Sequence, residues 1–229
     1  MQVGIVTVGD ELLSGDTTDT NGAWLAERLT DRGVAVERIT TVPDRIAEIA
    51  DVVRAFHDRY DATLVTGGVG PTHDDVTMEG VAAALDRGLE PDAEALAYLT
   101  SEGGYAADEL DEGTVDLPAG ARPLHNEVGV APGCVVDTVY VFPGVPHEMR
   151  AMFESVADDF AGTTQYTERV ETPEPESHLL DRLAAVRERF DVSVGSYPGE
   201  YVTVKFTASD EREAEAAAAW FRERVESPG

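Results

Sequence analysis

The sequence predicts a three-layer α/β/α domain with a mostly parallel sheet, followed by a small α+β domain. Short runs of Val and Ile alternate along the first part of the chain with longer segments whose apolar residues recur at helical spacing. Strands that alternate with helices form a parallel sheet covered on both faces. Near the end of the chain two strand-like runs follow each other between two helices, an order typical of an α+β unit.

A chain of 229 residues is long enough for one full domain and a smaller second one. Residues 171–177 read ETPEPES, and alternating Pro and Glu favour an extended, poorly packed connection. We therefore place residues 1–165 in the first domain and residues 166–229 in the second.

The elements of the first domain follow from hydrophobic runs and from the residues that end them. The predicted strands cover residues 2–8, 34–41, 62–66, 134–137 and 139–142, the last two as strands at the sheet edge. The predicted helices cover residues 20–31, a segment that opens at 43–44, residues 76–86, a short piece within 91–112, and residues 146–159. Helical spacing places two sets of side chains in the core: Ala23, Trp24 and Leu29, and then Ile46, Ile49, Ala50, Val53 and Phe56.

The second domain is predicted as strand, helix, two strands and helix. These elements cover residues 166–170, a helix with Leu179, Leu183, Val186 and Phe190 on one face, residues 192–197, residues 201–207 and residues 211–225.

The charge excludes several classes of protein. There are 45 acidic and 17 basic residues, a net charge of −28, and Lys205 is the only lysine. Sequence-independent nucleic-acid binding needs clustered basic residues, so no nucleic-acid partner is expected. An acidic surface suits a cytoplasm of high salt, where a Debye length of roughly 3 Å at about 1 M screens self-repulsion. No apolar run is long enough to span a membrane and no basic leader is present, so we expect a cytoplasmic protein without a membrane partner.

A glycine-rich segment, TGGVGPTHDDVT (66–77), follows the third predicted strand. Ligands bind at the carboxyl ends of strands in an open parallel sheet. Gly67, Gly68 and Gly70 can adopt positive φ and expose their amides to a phosphate, with Pro71 and Thr72 completing the loop and Thr77 at the start of the next helix. The alternative is that the glycines only make the turn.

Three acids are candidate ligands of a divalent metal. Asp74 and Asp75 lie in this loop, and Asp10 follows the first strand in GDELLSG (9–15). Hard cations bind carboxylate and phosphate oxygens together, so Mg²⁺, Mn²⁺ or Co²⁺ would reverse the repulsion between these acids and a phosphate. The alternative is that Asp74 or Asp75 caps the helix and Asp10 is a surface turn residue.

Two asparagines and one further glycine complete the candidate ligand-binding set. Asn21 either caps its own helix or faces the ligand, and Asn126 either lies over the site or forms a turn. Gly144 lies in the turn PGVP (143–146) that precedes a helix.

These motifs resemble the molybdopterin-binding domain of the CinA (competence/damage-inducible protein) family. The resemblance lies in GDELLSG, the DTN at 19–21, TGGVGPTHDDVT, APG (131–133) and PGVPHEM (143–149), in this order over about residues 1–160. The domain is shared with MoaB- and Mog-type proteins of molybdenum-cofactor biosynthesis. Residues 166–229 are similar to the KH-type module of CinA proteins. Many of those proteins also carry a nicotinamide mononucleotide deamidase domain, which we do not expect within these 229 residues.

The resemblance implies a phosphorylated pterin or nucleotide as ligand and a homo-oligomer, dimer or trimer. It implies catalytic roles for Asp10 and Asp75, a metal held by Asp10, Asp74 and Asp75, and hydrolysis of pyrophosphates such as ADP-ribose or FAD. One departure bears on catalysis, since relatives often have a basic residue shortly before the proline matching Pro118, and this chain has none there. Two alternatives stay open: pterin binding or adenylyl transfer in molybdenum-cofactor biosynthesis, and a binding module without catalysis.

Overall fold

The computed structural model describes residues 1–70, 72–106, 108, 110–111 and 113–228. Residues 1–30 and 34–162 form one compact unit, and residues 31–33 with residues 163 onward form another. The strands of the first unit are β1 (Gln2–Val8), β2 (Ala35–Val42), β3 (Ala62–Thr66), β4 (Leu89–Pro91), β5 (Asp116–Pro118), β6 (Arg122–Leu124), β7 (Gly133–Val136) and β8 (Val139–Phe142). Its α-helices are α1 (Asp10–Ser14), α2 (Thr20–Asp31), α3 (Ile46–His57), α4 (Thr77–Ala84), α5 (Ala93–Ser101) and α6 (Pro146–Val156).

The central sheet has six strands in the order β2-β1-β3-β8-β7-β6. The first four are parallel, and β7 and β6 are antiparallel to their neighbours. The prediction of a mostly parallel sheet is confirmed. The prediction that residues 134–137 and 139–142 are edge strands is wrong, because β8 and β7 lie inside the sheet. The edge is β6, whose short apolar stretch with Pro123 gives too weak a strand signal and suits an edge.

Helices cover both faces of the sheet, and each face has its own core. Alternation along β1 sends Val3 and Ile5 to one face and Val6 and Val8 to the other. The first core also contains Leu25 and Leu29 of α2 and Met149, Met152, Phe153 and Val156 of α6. The second also contains Ile49, Ala50, Val53 and Phe56 of α3 and Met78, Val81 and Ala84 of α4.

Two side chains that helical spacing placed in the core lie outside it. Ala23 is exposed on α2, and Ile46 is 43% exposed at the first position of α3. Ala23 lies off the face of α2 that is buried through Asn21, Gly22, Leu25 and Leu29, and Ile46 is the first residue of α3.

The second unit contains β9 (Tyr166–Thr172), α7 (Leu180–Arg189), β10 (Ser193–Tyr197), β11 (Val202–Ala208) and α8 (Glu211–Arg222). Its three strands form an antiparallel sheet in the order β10-β11-β9, so the predicted small α+β domain is present. Its core contains Leu179, Leu183 and Val186 around α7, Val170, Val204 and Phe206 of the strands, and Ala217, Ala218 and Phe221 of α8.

The Pro- and Glu-rich segment is not the poorly packed connection that its composition predicts. Glu171 and Thr172 continue β9 and pair with Thr203 and Val202 of β11, and Thr172 is fully buried. Tertiary pairing overrides the local preference of this composition for an open chain.

No helix in the part of the chain that the structure describes is both long and apolar enough to cross a membrane.

Candidate functional site

The turn after β1 and the glycine-rich loop after β3 meet over one cavity. They are neighbours because β1 and β3 are adjacent parallel strands, with Thr7 of β1 paired to Thr66 of β3. Gly67 packs so closely against β1 that an added Cβ would collide with the carbonyl oxygen of Val8. The cavity has a volume of about 370 Å³, and residues of both turns line it.

This cavity lies where the strand order of the sheet reverses. From β1 the chain passes to β2 on one side, whereas β3 lies on the other side of β1 and is followed by β8 still further out. Two connections that leave in opposite directions open a crevice at the carboxyl ends of β1 and β3, the usual ligand position in such sheets.

The cavity is acidic and has no basic side chain among its described lining residues. The carboxylates on its lining are those of Glu11, Asp19, Asp44, Asp74 and Asp75. Positive potential comes instead from backbone, because α2 and α6 begin at the cavity wall with Thr20 and Pro146.

The glycine-rich loop has fewer free amides than its sequence suggests. The amide of Gly67 donates to the carbonyl oxygen of Phe142 at 3.2 Å, and that of Thr72 donates to Asp75 Oδ2 at 3.1 Å. The amides of Gly68, Val69 and Gly70 donate to no other described residue. An anion in this loop would therefore bind at residues 68–70, not at Gly67.

The glycines of the loop are required for different reasons. Gly67 and Gly68 have φ of 118° and 54°, as predicted, but φ of Gly70 is not positive. At Gly70 an added Cβ would lie 2.8 Å from Asp75 Oδ2, so a side chain there would displace this carboxylate. Pro71, also predicted to bind the ligand, lies outside the described residues.

Thr77 supports the loop from below. Its side chain is fully buried, and its amide donates to the carbonyl oxygen of Gly68 at 3.0 Å. Its hydroxyl finds no hydrogen-bond partner among the described residues, and an added Cβ on Gly68 would lie 2.9 Å from it. Thr77 thus fixes the position of Gly68 relative to the N-terminus of α4.

Thr72 holds the two loop carboxylates. Its hydroxyl is within hydrogen-bond distance of Asp74 Oδ1, at 2.7 Å, and of Asp75 Oδ2. The hydrogen bond from Thr72 lowers the pKa of Asp74. Neither acid caps α4: the N-cap position is occupied by Val76, and no side chain caps the helix there, so the capping alternative does not describe this loop.

Asp10 and Asp44 connect the turns after β1 and β2. The amide of Asp10 donates to Asp44 Oδ2 at 2.8 Å. Burial raises the pKa of Asp44, and the nearby charges of Glu11, Asp10 and Asp74 add to the rise, while the hydrogen bond from Asp10 opposes it. The side chain of Asp10 is exposed and is not among the lining residues of the cavity.

The described residues contain no group of three His, Cys, Asp or Glu side chains close enough to hold a metal ion. Asp10, Asp74 and Asp75 therefore do not form a ready-made metal site. Mg²⁺ commonly binds through one or two carboxylates and completes its shell with phosphate oxygens and water. Burial, and then the charges of the neighbouring acids, raise the pKa of Asp44, and a cation held in this second way would offset those charges.

Asn21 faces the cavity and does not cap its helix. The cap is Asp19, whose Oδ1 accepts from the amide of Gly22 at 2.8 Å. The Asn21 side chain crosses to the turn after β8, where Nδ2 donates to the carbonyl oxygen of Gly144 at 2.8 Å. Gly144 lines the same cavity, and an added Cβ there would lie 3.2 Å from the Cα of Gly67.

The structure does not bring Asn126 to this cavity. Its Nδ2 donates to the carbonyl oxygen of Ala131 at 3.0 Å and to Glu148 Oε2 at 2.7 Å, and its Oδ1 accepts from the amide of Val128. The buried amide thus closes its own loop, which is the turn-forming alternative.

Sequence reasoning misses Asp44 and Asp19 as site residues. It assigns Asp44 to the start of a helix after Pro43, although Asp44 follows β2 just as Asp10 follows β1. Because β2 is parallel to β1 and adjacent to it, the strand-end rule that selects Asp10 also selects Asp44. The GDELLSG segment itself is a one-turn helix, α1, which Gly15 ends with φ of 81°.

Known proteins are similar to this chain in sequence and in fold. The family described as a probable molybdopterin binding domain matches residues 4–162. A protein of Archaeoglobus fulgidus is 40% identical over 227 residues, 97% of each chain. A CinA-like protein of Frankia casuarinae is 42% identical over 165 residues, which are 67% of this chain and 38% of that protein.

Among solved structures, CinA from Thermoplasma acidophilum, a protein of unknown function, matches with a TM-score of 0.64 and 36% identity over 69% of this chain and 97% of that one. The matched family covers both turns of the cavity and every element that forms it. The chain therefore belongs to the molybdopterin-binding domain family and is related within it to the CinA-like proteins.

Proposed function

We propose that this protein binds a nucleotide pyrophosphate together with a divalent cation in the cavity between β1 and β3, and hydrolyses it. The observation that carries the proposal is the composition of the cavity: five carboxylates and the unpaired amide of Gly68, without a basic side chain among the described lining residues. The unpaired amides of Val69 and Gly70 follow Gly68 along the same loop. Such a site repels a bare phosphate through its acids and attracts one through its amides. A cation between them resolves the conflict.

The anion-binding part consists of the amides of Gly68, Val69 and Gly70. Gly68 is held in place by Thr77 below it, so these donors need little reorganisation when a phosphate arrives. The N-termini of α2 and α6, which begin with the lining residues Thr20 and Pro146, add positive potential to the same cavity.

The cation-binding part would use Asp44, Asp74 and Asp75 with oxygens of the substrate, and Asp10 lies exposed beside Asp44. A divalent cation there would offset the phosphate charge and polarise the phosphorus–oxygen bond. This chemistry needs no protein nucleophile.

The test is the release of AMP from ADP-ribose or FAD in molar salt with Mg²⁺, Mn²⁺ or Co²⁺. We expect Asp75→Ala to lower the rate by about 10²-fold or more, since it removes a carboxylate from the cavity. Asp51→Ala removes an exposed acid from α3 and is the matched control, with an unchanged rate. No AMP from the wild-type protein, or an unchanged rate in Asp75→Ala, would contradict the proposal.

A second candidate is pterin binding or adenylyl transfer in molybdenum-cofactor biosynthesis. It is favoured by the description of the matched family, whose residues 4–162 contain the entire cavity. Competitive titration of molybdopterin against ADP-ribose separates the two, because a tenfold preference corresponds to about 1.4 kcal/mol. In a module without catalysis, a divalent cation would raise neither the melting temperature nor the ligand affinity.

A further inference from the structure

The cavity contains one buried acceptor whose orientation the structure determines. The side chain of Asn21 is 9% exposed and lines the cavity from the first turn of α2. Its Nδ2 lies 3.1 Å from Thr66 Oγ1 and 2.8 Å from the carbonyl oxygen of Gly144.

Both neighbours of Nδ2 must accept. The carbonyl oxygen of Gly144 has no hydrogen to donate. The hydroxyl of Thr66 already donates its hydrogen to the carbonyl oxygen of Pro143 at 2.7 Å, so it can only accept from Asn21. The two bonds together exclude the flipped amide, and Oδ1 therefore points away from them.

Asn21 Oδ1 is buried and has no hydrogen-bond partner among the described residues. A buried carbonyl oxygen without a donor costs free energy that a ligand donor can recover. A phosphate oxygen cannot supply this donor, because at neutral pH it is itself an acceptor. The position next to the anion loop is thus complementary to a neutral hydroxyl or N–H group.

The position also lies close to the anion loop. Gly144, which Asn21 contacts, packs against Gly67, and Gly68 follows directly. A phosphate on residues 68–70 would bring to Asn21 the group attached next to it. In a nucleotide that group is the ribose, with its hydroxyls, or the base with its amino group.

We propose that Asn21 Oδ1 accepts a hydrogen bond from a neutral donor of the ligand and selects nucleotides over inorganic pyrophosphate. This inference rests on the proposed function, because it takes the phosphate to bind at residues 68–70. It assigns recognition of the organic part of the substrate to α2 and recognition of the phosphate to the loop after β3.

The experiment measures dissociation constants by calorimetry in molar salt with Mg²⁺. The ligands are ADP, its 2′-deoxy and 3′-deoxy analogues, the diphosphate of purine riboside, and inorganic pyrophosphate. We expect the wild-type protein to bind ADP at least about tenfold more tightly than inorganic pyrophosphate and than the analogue that lacks the relevant donor. Loss with a deoxyribose identifies the sugar hydroxyl, and loss with purine riboside identifies the amino group.

The same ligands are then measured on two variants, which shows whether Asn21 is the source of the discrimination. In Asn21→Ala the discrimination among the ligands should disappear, while inorganic pyrophosphate still binds. Asn126→Ala is the matched control, since it removes an equally buried asparagine whose amide is fully bonded outside the cavity, and it should keep the discrimination.

The outcomes separate this inference from the proposed function. Binding of inorganic pyrophosphate and ADP with equal affinity by the wild-type protein overturns the role of Asn21 and leaves the anion loop in place. Binding of neither ligand overturns both. The wild-type series needs no variant, so a lack of discrimination overturns the role of Asn21 even if Asn21→Ala misfolds.

Discussion

The two compact units shift the pKa of a carboxylate in opposite directions. In the first unit, Asp44 lies in a cavity with other acids around it, and burial raises its pKa. In the second, Glu174 receives two hydrogen bonds from the guanidinium of Arg182, one of them 2.9 Å long, and one from the amide of Glu226. These bonds lower the pKa of Glu174 to about 2.

The comparison distinguishes a carboxylate that stabilises the fold, Glu174, from one that is available to a ligand, Asp44. Arg182 also donates to the carbonyl oxygens of His178 and Arg224, so one ion pair joins α7 to the end of α8. In the cavity, by contrast, Asp44 is a partly buried acid with other acids near it and no cation, which is a cost in stability. Carboxylates held together without a cation are typical of functional sites.

The largest expected effect tests the backbone contact that brings the cavity together. Gly67→Ala should destabilise the protein by about 3 kcal/mol, because it combines a strained positive φ with a collision against the carbonyl oxygen of Val8. Chemical denaturation measures this loss. Gly15→Ala has the same kind of φ but no neighbour within 4 Å, and should cost only about 1 kcal/mol. Equal losses in the two variants would show that the close approach of β1 and β3 is not required.

The next effect tests the paired carboxylate. Arg182→Ala should cost about 2 kcal/mol, because it leaves Glu174, only 14% exposed, without its cation. Arg28→Ala breaks a pair whose side chains are about half exposed, and should change stability by less than about 0.5 kcal/mol. If both variants cost the same, the pair in the second unit has no special role.

The stabilisation by the Glu174–Arg182 pair should depend on pH, and the pKa of Glu174 gives the direction of this dependence. The pKa of Glu174 is about 2 in the folded state and 4.5 in a free glutamate, so its contribution is present above pH 4.5 and is lost as the pH falls towards 2. In Arg182→Ala this loss on acidification should be smaller, which acid unfolding curves can measure.

The smallest effect has the opposite sign. Asp44→Asn should raise the melting temperature of the cation-free protein by a few degrees, since it removes a charge that burial and its neighbours disfavour. Because the folded-state pKa is raised above 3.8, the wild-type penalty develops as the pH rises from about that value, and the gain of the variant should grow over the same range. The variant should also lose any stabilisation by Mg²⁺. A lower melting temperature in Asp44→Asn would remove the contrast between the two units.

The local pattern predicts most elements because each element buries its own apolar stripe. The strands at residues 2–8 and 62–66 and the helix at 20–31 agree with their predicted bounds. Predictions are wrong where pairing partners decide the outcome. The first two residues of the Pro- and Glu-rich segment, Glu171 and Thr172, are part of β9 because β11 lies beside them, and β8 is an inner strand because β3 and β7 pair with it.

The sequence predicts which loops form the candidate site, but it does not predict the hydrogen bonds within it. The strand-end rule brings the turn after β1 and the loop after β3 to one cavity. The rule does not tell which amides remain free, so the predicted set includes Gly67 although its amide is bonded to Phe142. It also does not tell which asparagine reaches the cavity, since Asn21 and Asn126 both follow plausible turns.

The sequence by itself determined the alternation of strands and helices, the acidic character of the chain and the glycine-rich loop, because these depend on residues close together along the chain. Only the tertiary structure decided that Asp44 stands among the acids of the cavity and that Oδ1 of Asn21 is left without a donor. Whether a polar group is paired depends on the groups that packing brings to it. For Asn21 those groups come from the end of β3 and from the turn after β8, 45 and more residues away.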